Sequence, residues 1–334
     1  MGRWIKKVIK EGREMKRISY CVPCYNEEKN IQEVYNQLTE LKNKLPNYDY
    51  EIIFEDNNST DNTQNIIRKL CEKDIRVKAI FNTRNFGPSR SGKNCCFNAT
   101  GDVIISVASD LQNPIDVIPE FIKYWEDGYK IVMGQKNKSE ENRLKFFLRC
   151  LYYKIINNNS DIKQIENITG FGAIDAKVYR QIYEMSEPDM SIRHLLAELG
   201  YEIKLVQYTQ RSRKYGKSSY NLSRNWDFAI NSLVTTSKKP IRYILNFGLY
   251  MTLLFFLLFV ALLILACVTS KPIYLYALLA NVVLIFVSFG IFCVGFIGEY
   301  IRVIVDKITK REIVIEKERI NFSDEPVLKN RKFE

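Results

Sequence analysis

One histidine, His194, stands in 334 residues, and that scarcity narrows the chemistry open to the chain. Eight cysteines are present, but only Cys21 and Cys24 have a C-x-x-C spacing, and no second pair accompanies them. A structural zinc site needs four Cys or His ligands. The pair is therefore read as a strand residue (Cys21) and a loop residue (Cys24), not as a metal or redox motif. Nothing in the cysteine spacing resembles the disulfide framework of a secreted protein. Met1–Arg17 has no apolar core, so no signal peptide is expected there. Residues 1–17 form a basic extension. Its Trp4, Ile5, Val8 and Ile9 alternate with Lys6, Lys7 and Lys10, as in an amphipathic turn on a membrane surface or a solvated chain end. Internal repeats and low-complexity segments are absent.

The most informative absence is of charge. Tyr243 to Ser270 and Pro272 to Gly298 contain no Asp, Glu, Lys or Arg, and only Lys271 separates them. Each exceeds the roughly 20 residues that a helix needs to cross a bilayer. Two transmembrane helices are expected, at about 243–268 and 273–297. Lys238, Lys239 and Arg242 precede the first; Arg302, Lys307, Lys310 and Arg311 follow the second. Positive flanks mark the cytoplasmic side. The expected protein is thus a multi-pass component of the cytoplasmic (inner) membrane, with the domain at 18–237, the tail at 299–334 and both termini in the cytoplasm. The 49 Lys and Arg against 38 Asp and Glu give a net charge of +11. Such an excess also suits nucleic acid, but the flanks favour a membrane partner, and no nucleic acid is expected. Asn58-Ser-Thr and Asn98-Ala-Thr match the glycosylation pattern, which a cytoplasmic domain would never present to that machinery.

Before the spans, short apolar runs alternate with helical periodicity. Strands are expected at Ile18–Val22, Tyr50–Glu55, Val77–Phe81, Asp102–Val107, Lys130–Gly134 and Glu202–Tyr208. Helices are expected at Glu27–Lys44, with Asn26 as cap, then at Asp61–Lys73, Arg90–Ala99, Asp116–Asp127, Leu144–Ile156 and Met190–Leu199. This order argues for a mostly parallel sheet covered on both faces. Arg211–Tyr220 is a basic loop. Beyond the spans, a helix at Tyr300–Ile308 precedes an apolar–charged strand at Glu312–Glu318.

Ligands of open α/β sheets bind outside the carboxyl ends of the strands. Three such ends carry Pro23-Cys-Tyr-Asn-Glu27, Asp56-Asn-Asn-Ser59 and Asp110-Leu-Gln112, which sets Glu27, Asp56 and Asp110 along one edge. Glu27 or Asp56 can accept hydrogen bonds from a ribose diol or a base N–H, and Tyr25 offers a ring face. Asp110 and the amide oxygen of Gln112 suit a hard cation, Mg²⁺ or Mn²⁺, bridging to phosphates. Carboxylates at strand ends also serve as turn formers and helix caps, but three along one edge are less readily explained that way.

In order and spacing, these motifs and Arg84-Asn-Phe-Gly87 and Asp110-Leu-Gln-Asn-Pro114 resemble family 2 glycosyltransferases. Arg211-x-Arg213-x-x-Gly216-x-Ser-Ser-Tyr220 and the twin spans point within that family to the polyprenyl-phosphate glycosyltransferase type. The resemblance covers the chain from about Ile18. It implies an α/β GT-A nucleotide-diphospho-sugar transferase fold followed by a two-helix transmembrane hairpin. It implies that Pro23, Tyr25, Glu27, Asp56 and Arg84 bind the nucleotide sugar, and that Asp110 and Gln112 hold the metal. Arg211, Arg213 and Ser218 would engage the acceptor phosphate, with Asp110, Arg211 and Arg213 closest to the chemistry. The implied reaction moves a hexose from a nucleotide-diphosphate sugar, with UDP the expected carrier, to polyprenyl (undecaprenyl) phosphate for cell-envelope glycans. It also implies a homo-oligomer, a tetramer among the candidates, with tails exchanged between neighbours.

Three positions depart from that pattern. Ala108 stands where a second metal-site aspartate is common. Asn57-Asn58 replaces Asp-Gly. In Thr169-Gly-Phe-Gly-Ala-Ile-Asp175, Gly170 and Gly172 occupy the places of an acid and an arginine, which would shift phosphate contact to Arg211, Arg213 or Arg193. Two other readings stay open: transfer onto a lipid-diphosphate oligosaccharide, and a catalytically inactive membrane-anchored subunit. Processive synthases usually carry Gln-x-x-Arg-Trp, which Ser223-Arg-Asn-Trp226 does not match.

Overall fold

The computed structural model describes residues 15–136, 168–185, 192–210 and 312–322, together with single helical positions between 282 and 304. The chain divides into two units. The first comprises Met1–Phe146, Gln164–Ser218 and Arg311–Glu334; the second comprises Phe147–Lys163 and Ser219–Lys310.

The first unit is built on one eight-stranded sheet. In chain order the strands are β1 (Arg17–Cys24), β2 (Asp49–Asp56), β3 (Val77–Asn82), β4 (Val103–Ser106), β5 (Ile131–Lys136), β6 (Ile168–Asp175), β7 (Ile203–Tyr208) and β8 (Glu316–Ile320). Their spatial order is β7-β5-β6-β4-β1-β2-β3-β8. β4, β1, β2 and β3 run parallel, as does the β5–β7 pair. β6 is antiparallel to β4 and β5, and β8 is antiparallel to β3. The expected α/β arrangement with a mostly parallel sheet is therefore present. The helices are α1 (Ile31–Lys44), α2 (Thr63–Lys73), α3 (Pro88–Phe97), α4 (Ile118–Glu126), α5 (Ala176–Met185) and α6 (Ile192–Leu199).

The central strands are buried on both faces, which explains their near-continuous apolar runs. One face packs against α1, α2 and α4 through Tyr20, Val22, Ile52 and Phe54, meeting Val34, Leu38, Ile67 and Phe121. The other face packs Cys21, Ile53, Ile80 and Ile104 against Cys95, Cys96, Phe97, Tyr179 and Leu195. Cys21 and Cys24 are both buried free thiols, and Cys24 is the last residue of β1 rather than a loop residue.

A polar knot closes the amino ends of the strands, away from the carboxyl-end loops. Glu51 pairs with Lys78 at 2.5 Å, both nearly buried. It also accepts from Ser19 Oγ and from the Thr100 backbone and hydroxyl. Removing one partner of such a pair costs about 3–5 kcal/mol. Gly101 is required there because a Cβ would stand 2.5 Å from Ser19 Oγ and 2.7 Å from the Arg17 carbonyl.

Several boundaries differ from expectation. α1 begins at Ile31, not Glu27, and Asn26 does not cap it. Asn26 adopts a left-handed φ of 55° and its side chain accepts from Thr60 N instead. β6 and α5 occupy a region that the sequence left irregular. The tail strand lies at Glu316–Ile320 rather than Glu312–Glu318, and within the chain it pairs with β3. The expected helix Leu144–Ile156 and the basic loop lie outside the described residues.

The two expected spans fall almost wholly outside the described residues as well. Among the described residues, no helix is long and apolar enough to cross a membrane. The described positions from Val282 to Ile304 are helical, and Val283, Phe286, Ile297, Ile301 and Ile304 are exposed.

Candidate active site

The carboxyl ends of β1, β2 and β4 lie side by side, since Cys24 pairs with Asp56 and Cys21 with Ser106. The loops that leave them are therefore neighbours. The β1 and β2 loops are laced together reciprocally. Asn26 N donates to Ser59 Oγ at 2.8 Å and Thr60 N to Asn26 Oδ1 at 2.8 Å. Glu28 N donates to Asp61 Oδ2 and Asn62 N to Glu28 Oε2. Glu27 N donates to Thr63 Oγ1 at 2.9 Å, and the Glu27 carboxylate accepts from Asn30 Nδ2 at 2.6 Å. Glu27 thus sits where expected, with part of its hydrogen-bonding capacity committed to holding the turn into α1.

Asp56 is fully buried at the end of β2. Its Oδ2 accepts from Ser59 N at 3.0 Å and Gln64 Nε2 at 2.8 Å. Its Oδ1 is buried with no protein partner among the described residues. Burial raises its pKa above the ordinary carboxylate value, opposed by the Ser59 and Gln64 hydrogen bonds. An unmet buried acceptor costs about 1–3 kcal/mol. A ligand N–H or O–H would remove that cost. Tyr25, 38% exposed, presents an open ring on the adjacent loop. Pro23 is half-buried and faces α3, where a Cβ on Gly92 would lie 3.7 Å from its Cγ.

Arg84 is exposed, with its guanidinium 4.0 Å from the Phe86 ring centre. The Arg84–Gly87 loop is held by Asn57. Asn57 Oδ1 accepts from Phe86 N at 2.9 Å, and Asn57 Nδ2 donates to Asn85 Oδ1 at 2.9 Å. Asn85 Oδ1 in turn accepts from Gly87 N at 2.9 Å. The replacement at Asn57 noted from the sequence therefore organises a second loop.

Asp110 follows β4 and is nearly buried. Leu111 takes a left-handed φ of 57°, and this reversal brings Gln112 N to Asp110 Oδ1 at 3.2 Å. Gln112 Oε1 accepts from Gln210 Nε2 at 3.3 Å, and Tyr208 OH donates to Asn113 Oδ1 at 3.1 Å. The end of β7 thereby braces the Asp110 turn, and the chain enters Arg211 directly after that contact. Among the described residues, no group of three or more His, Cys, Asp or Glu could hold a metal. The donor set expected from the sequence, Asp110 and Gln112, would be one carboxylate and one amide oxygen. That set fits a Mg²⁺-type ion completed by ligand phosphates and water, not an all-protein cage.

The Gly172 departure has a steric cause. Gly172 pairs with Met133 of β5, and a Cβ there would lie 2.4 Å from the Val132 carbonyl oxygen. No arginine could stand at that position without opening the sheet. Gly170 has a φ of 89°, which favours glycine over an acid. Asp175 is consumed structurally, accepting from Trp125 Nε1 and Lys130 Nζ at 3.0 Å each.

Pro23 and Asp56, at the ends of β1 and β2, and Tyr25, Glu27, Arg84, Asp110 and Gln112, on the loops beyond the strand ends, are thus described at the carboxyl edge of the sheet. Arg211, Arg213 and Ser218 lie outside the described residues. Sequence reasoning missed Glu55, Asn82 and Asn94, which support the site from behind. Glu55 is fully buried and accepts from Asn82 Nδ2 at 2.9 Å and Asn94 Nδ2 at 3.0 Å. A charged residue inside an apolar strand was the available signal.

Comparison with known proteins adds an independent line. Residues 19–183 match the description "Glycosyl transferase family 2". The chain is 30% identical over 305 residues to a protein of Shigella phage SfV named bactoprenol glucosyl transferase, covering 91% of this chain and 99% of that one. It is 30% identical over 286 residues to the prophage bactoprenol glucosyl transferase homolog of Escherichia coli K12, covering 85% and 93%. It is 27% identical over 300 residues to an uncharacterized glycosyltransferase of Synechocystis, covering 89% and 94%.

Proposed function

This chain belongs to glycosyl transferase family 2, and on that premise we propose that it moves a hexose from a nucleotide-diphosphate sugar to polyprenyl phosphate at the cytoplasmic membrane. The observation that carries the donor half is the buried Oδ1 of Asp56, unpartnered among the described residues, together with the exposed ring of Tyr25 on the neighbouring loop. A nucleobase supplies an N–H for the first and a π-face for the second. The acceptor half rests on the named relatives, on the two charge-free stretches and on the arginines of the 211–220 loop.

A polyprenyl monophosphate is already anionic at neutral pH, so no strong general base is needed. Its oxygen attacks the anomeric carbon as the bond to the diphosphate oxygen breaks, and the nucleoside diphosphate leaves with the electron pair. In-line displacement inverts the anomeric centre and turns an α-linked donor into a β-linked lipid-phosphate sugar. The difficulty is electrostatic, because two anionic phosphates must approach and a third charge develops on the leaving group. Asp110 and Gln112 would hold a divalent ion, Mg²⁺ or Mn²⁺, whose chemistry is to neutralise that leaving group. Arg211 and Arg213 would hold the acceptor phosphate with paired N–H donors, and Tyr25 and Asp56 would fix the nucleoside.

Titration of the purified full chain with UDP, GDP and their sugar conjugates tests the donor half. One nucleotide should bind in the wild type, and Asp56→Asn should weaken that nucleotide by about tenfold or more, the scale of a hydrogen bond to a charged group. Equal binding by both proteins would contradict the assignment.

A further inference from the structure

The C-terminal strand is tied into the back of the candidate donor site. Thr83, which opens the Arg84–Gly87 loop, donates from both its N–H and its hydroxyl to the Ile315 carbonyl, at 3.0 and 3.1 Å. One residue on, Glu316 Oε1 accepts from Asn94 Nδ2 at 3.0 Å. The same amide nitrogen donates to Glu55 Oε2 at 3.0 Å. The other Glu55 oxygen accepts from Asn82 Nδ2 at 2.9 Å, and that amide also reaches Asn57 Oδ1 at 3.4 Å. Asn57 then holds Phe86 N directly and Gly87 N through Asn85. The NH₂ groups of Asn94 and Asn82 each spend their two hydrogens on two different acceptors.

We propose that Glu316 and Asn57 are positioning residues, and that docking of β8 sets the Arg84–Gly87 loop through the relay Glu316–Asn94–Glu55–Asn82–Asn57. The functional consequence rests on reading that loop as part of the donor site. The relay is distinct from the other anchors of the tail. Glu318 makes a two-pronged pair with Arg68 of α2 at 2.6 and 2.7 Å. Asn321 Nδ2 donates to the Cys71 and Val77 carbonyls at 2.8 and 2.9 Å. Those contacts fasten the strand without touching the loop. Glu316 also pairs with Arg319, which donates to Asn98 Oδ1 at 3.0 Å. Because β8 follows the candidate spans in the chain, the donor loop is supported by a segment that returns from them.

The test compares Glu316→Ala, Glu316→Gln, Asn57→Ala and Glu318→Ala in the full chain. Amide hydrogen exchange at Phe86 and Gly87 reads the relay without any ligand. Glu316→Ala and Asn57→Ala should speed that exchange by about five- to tenfold, as the loss of one hydrogen bond would. Glu316→Gln should restore it, since its amide oxygen still accepts from Asn94. Glu318→Ala should lower thermal stability and leave the exchange unchanged. The proposal is overturned if Glu316→Ala and Glu318→Ala speed loop exchange alike, or if Asn57→Ala leaves it unaltered. UDP titration of the same proteins judges the donor reading separately. Weaker UDP binding in the two relay variants supports it, and failure of the wild type to bind any nucleoside diphosphate refutes that reading while the exchange result stands.

Discussion

Asp56 and Glu55 are adjacent buried carboxyl groups with different partners. Asp56 Oδ1 has no protein partner among the described residues and lies at the strand end, whereas both oxygens of Glu55 are occupied by asparagine amides. Burial, reinforced by Glu316 and opposed by those amides, pushes the Glu55 carboxyl up to about 8, against 4.5 for an ordinary glutamate. The folded chain therefore keeps a proton that the unfolded chain loses. Stability should fall as pH rises from about 4.5 and level off above about 8. Glu55→Gln should flatten that slope, as measured by thermal unfolding midpoints at pH 5 and pH 8; an unchanged slope would place the titration elsewhere. At the proposed metal position, Asp110→Asn should remove most activity with the circular dichroism spectrum intact. Ala108→Asp should lower the metal concentration for half-maximal rate, and near-normal turnover of Asp110→Asn at low metal would refute the ligand assignment. Asp56 and Asp110 were legible because turn-forming residues follow an apolar run. The Glu55 relay was not, because its hydrogen bonds join residues 25 to 222 positions apart, from Asn57–Asn82 to Asn94–Glu316. Sequence spacing carries no such information.

Among elements, the parallel strands were legible from their buried apolar runs, while β6 and α5 were not. β6 holds Gly170 and Gly172 among its eight residues, a composition that reads as a loop. Its glycines are explained only by the neighbouring strand, since Gly172 lies against the Val132 carbonyl. Gly172→Ala should destabilise the domain by about 1–3 kcal/mol, read as a lower unfolding midpoint; an unshifted midpoint would mean that β5 yields freely at that point. The Asn26 cap failed for a related reason. A polar residue before an apolar helix signals a cap, but the tertiary partner Thr60 took the side chain.

At the scale of the molecule, the tail strand closes the β3 edge of a sheet whose other seven strands precede the candidate spans. An uncovered edge invites pairing with another chain. Within one chain β8 covers β3, and exchange of tails between neighbours, as in a homo-oligomer, remains a proposal. Truncation after Lys310 should leave membrane insertion intact, loosen the Arg84–Gly87 loop and weaken nucleotide binding. Light scattering of the solubilised protein tests exchange: a shift toward monomer supports it, and an unchanged mass removes the tail as the assembly element. Replacing Arg211 and Arg213 with Ala should weaken lipid-phosphate use far more than nucleotide binding. Equal losses would count against an acceptor role.

In the proposed reaction, a family 2 glycosyltransferase site serves a lipid phosphate. The most direct measurement supplies the purified full chain with undecaprenyl phosphate, a divalent ion and a panel of UDP- and GDP-sugars, and weighs the lipid products by mass spectrometry. A new species heavier than the lipid phosphate by one hexose residue should form from one donor of the panel and be absent with Asp110→Asn. Unmodified undecaprenyl phosphate with every donor, while the same preparation glycosylates a lipid-diphosphate oligosaccharide, would contradict the proposed reaction.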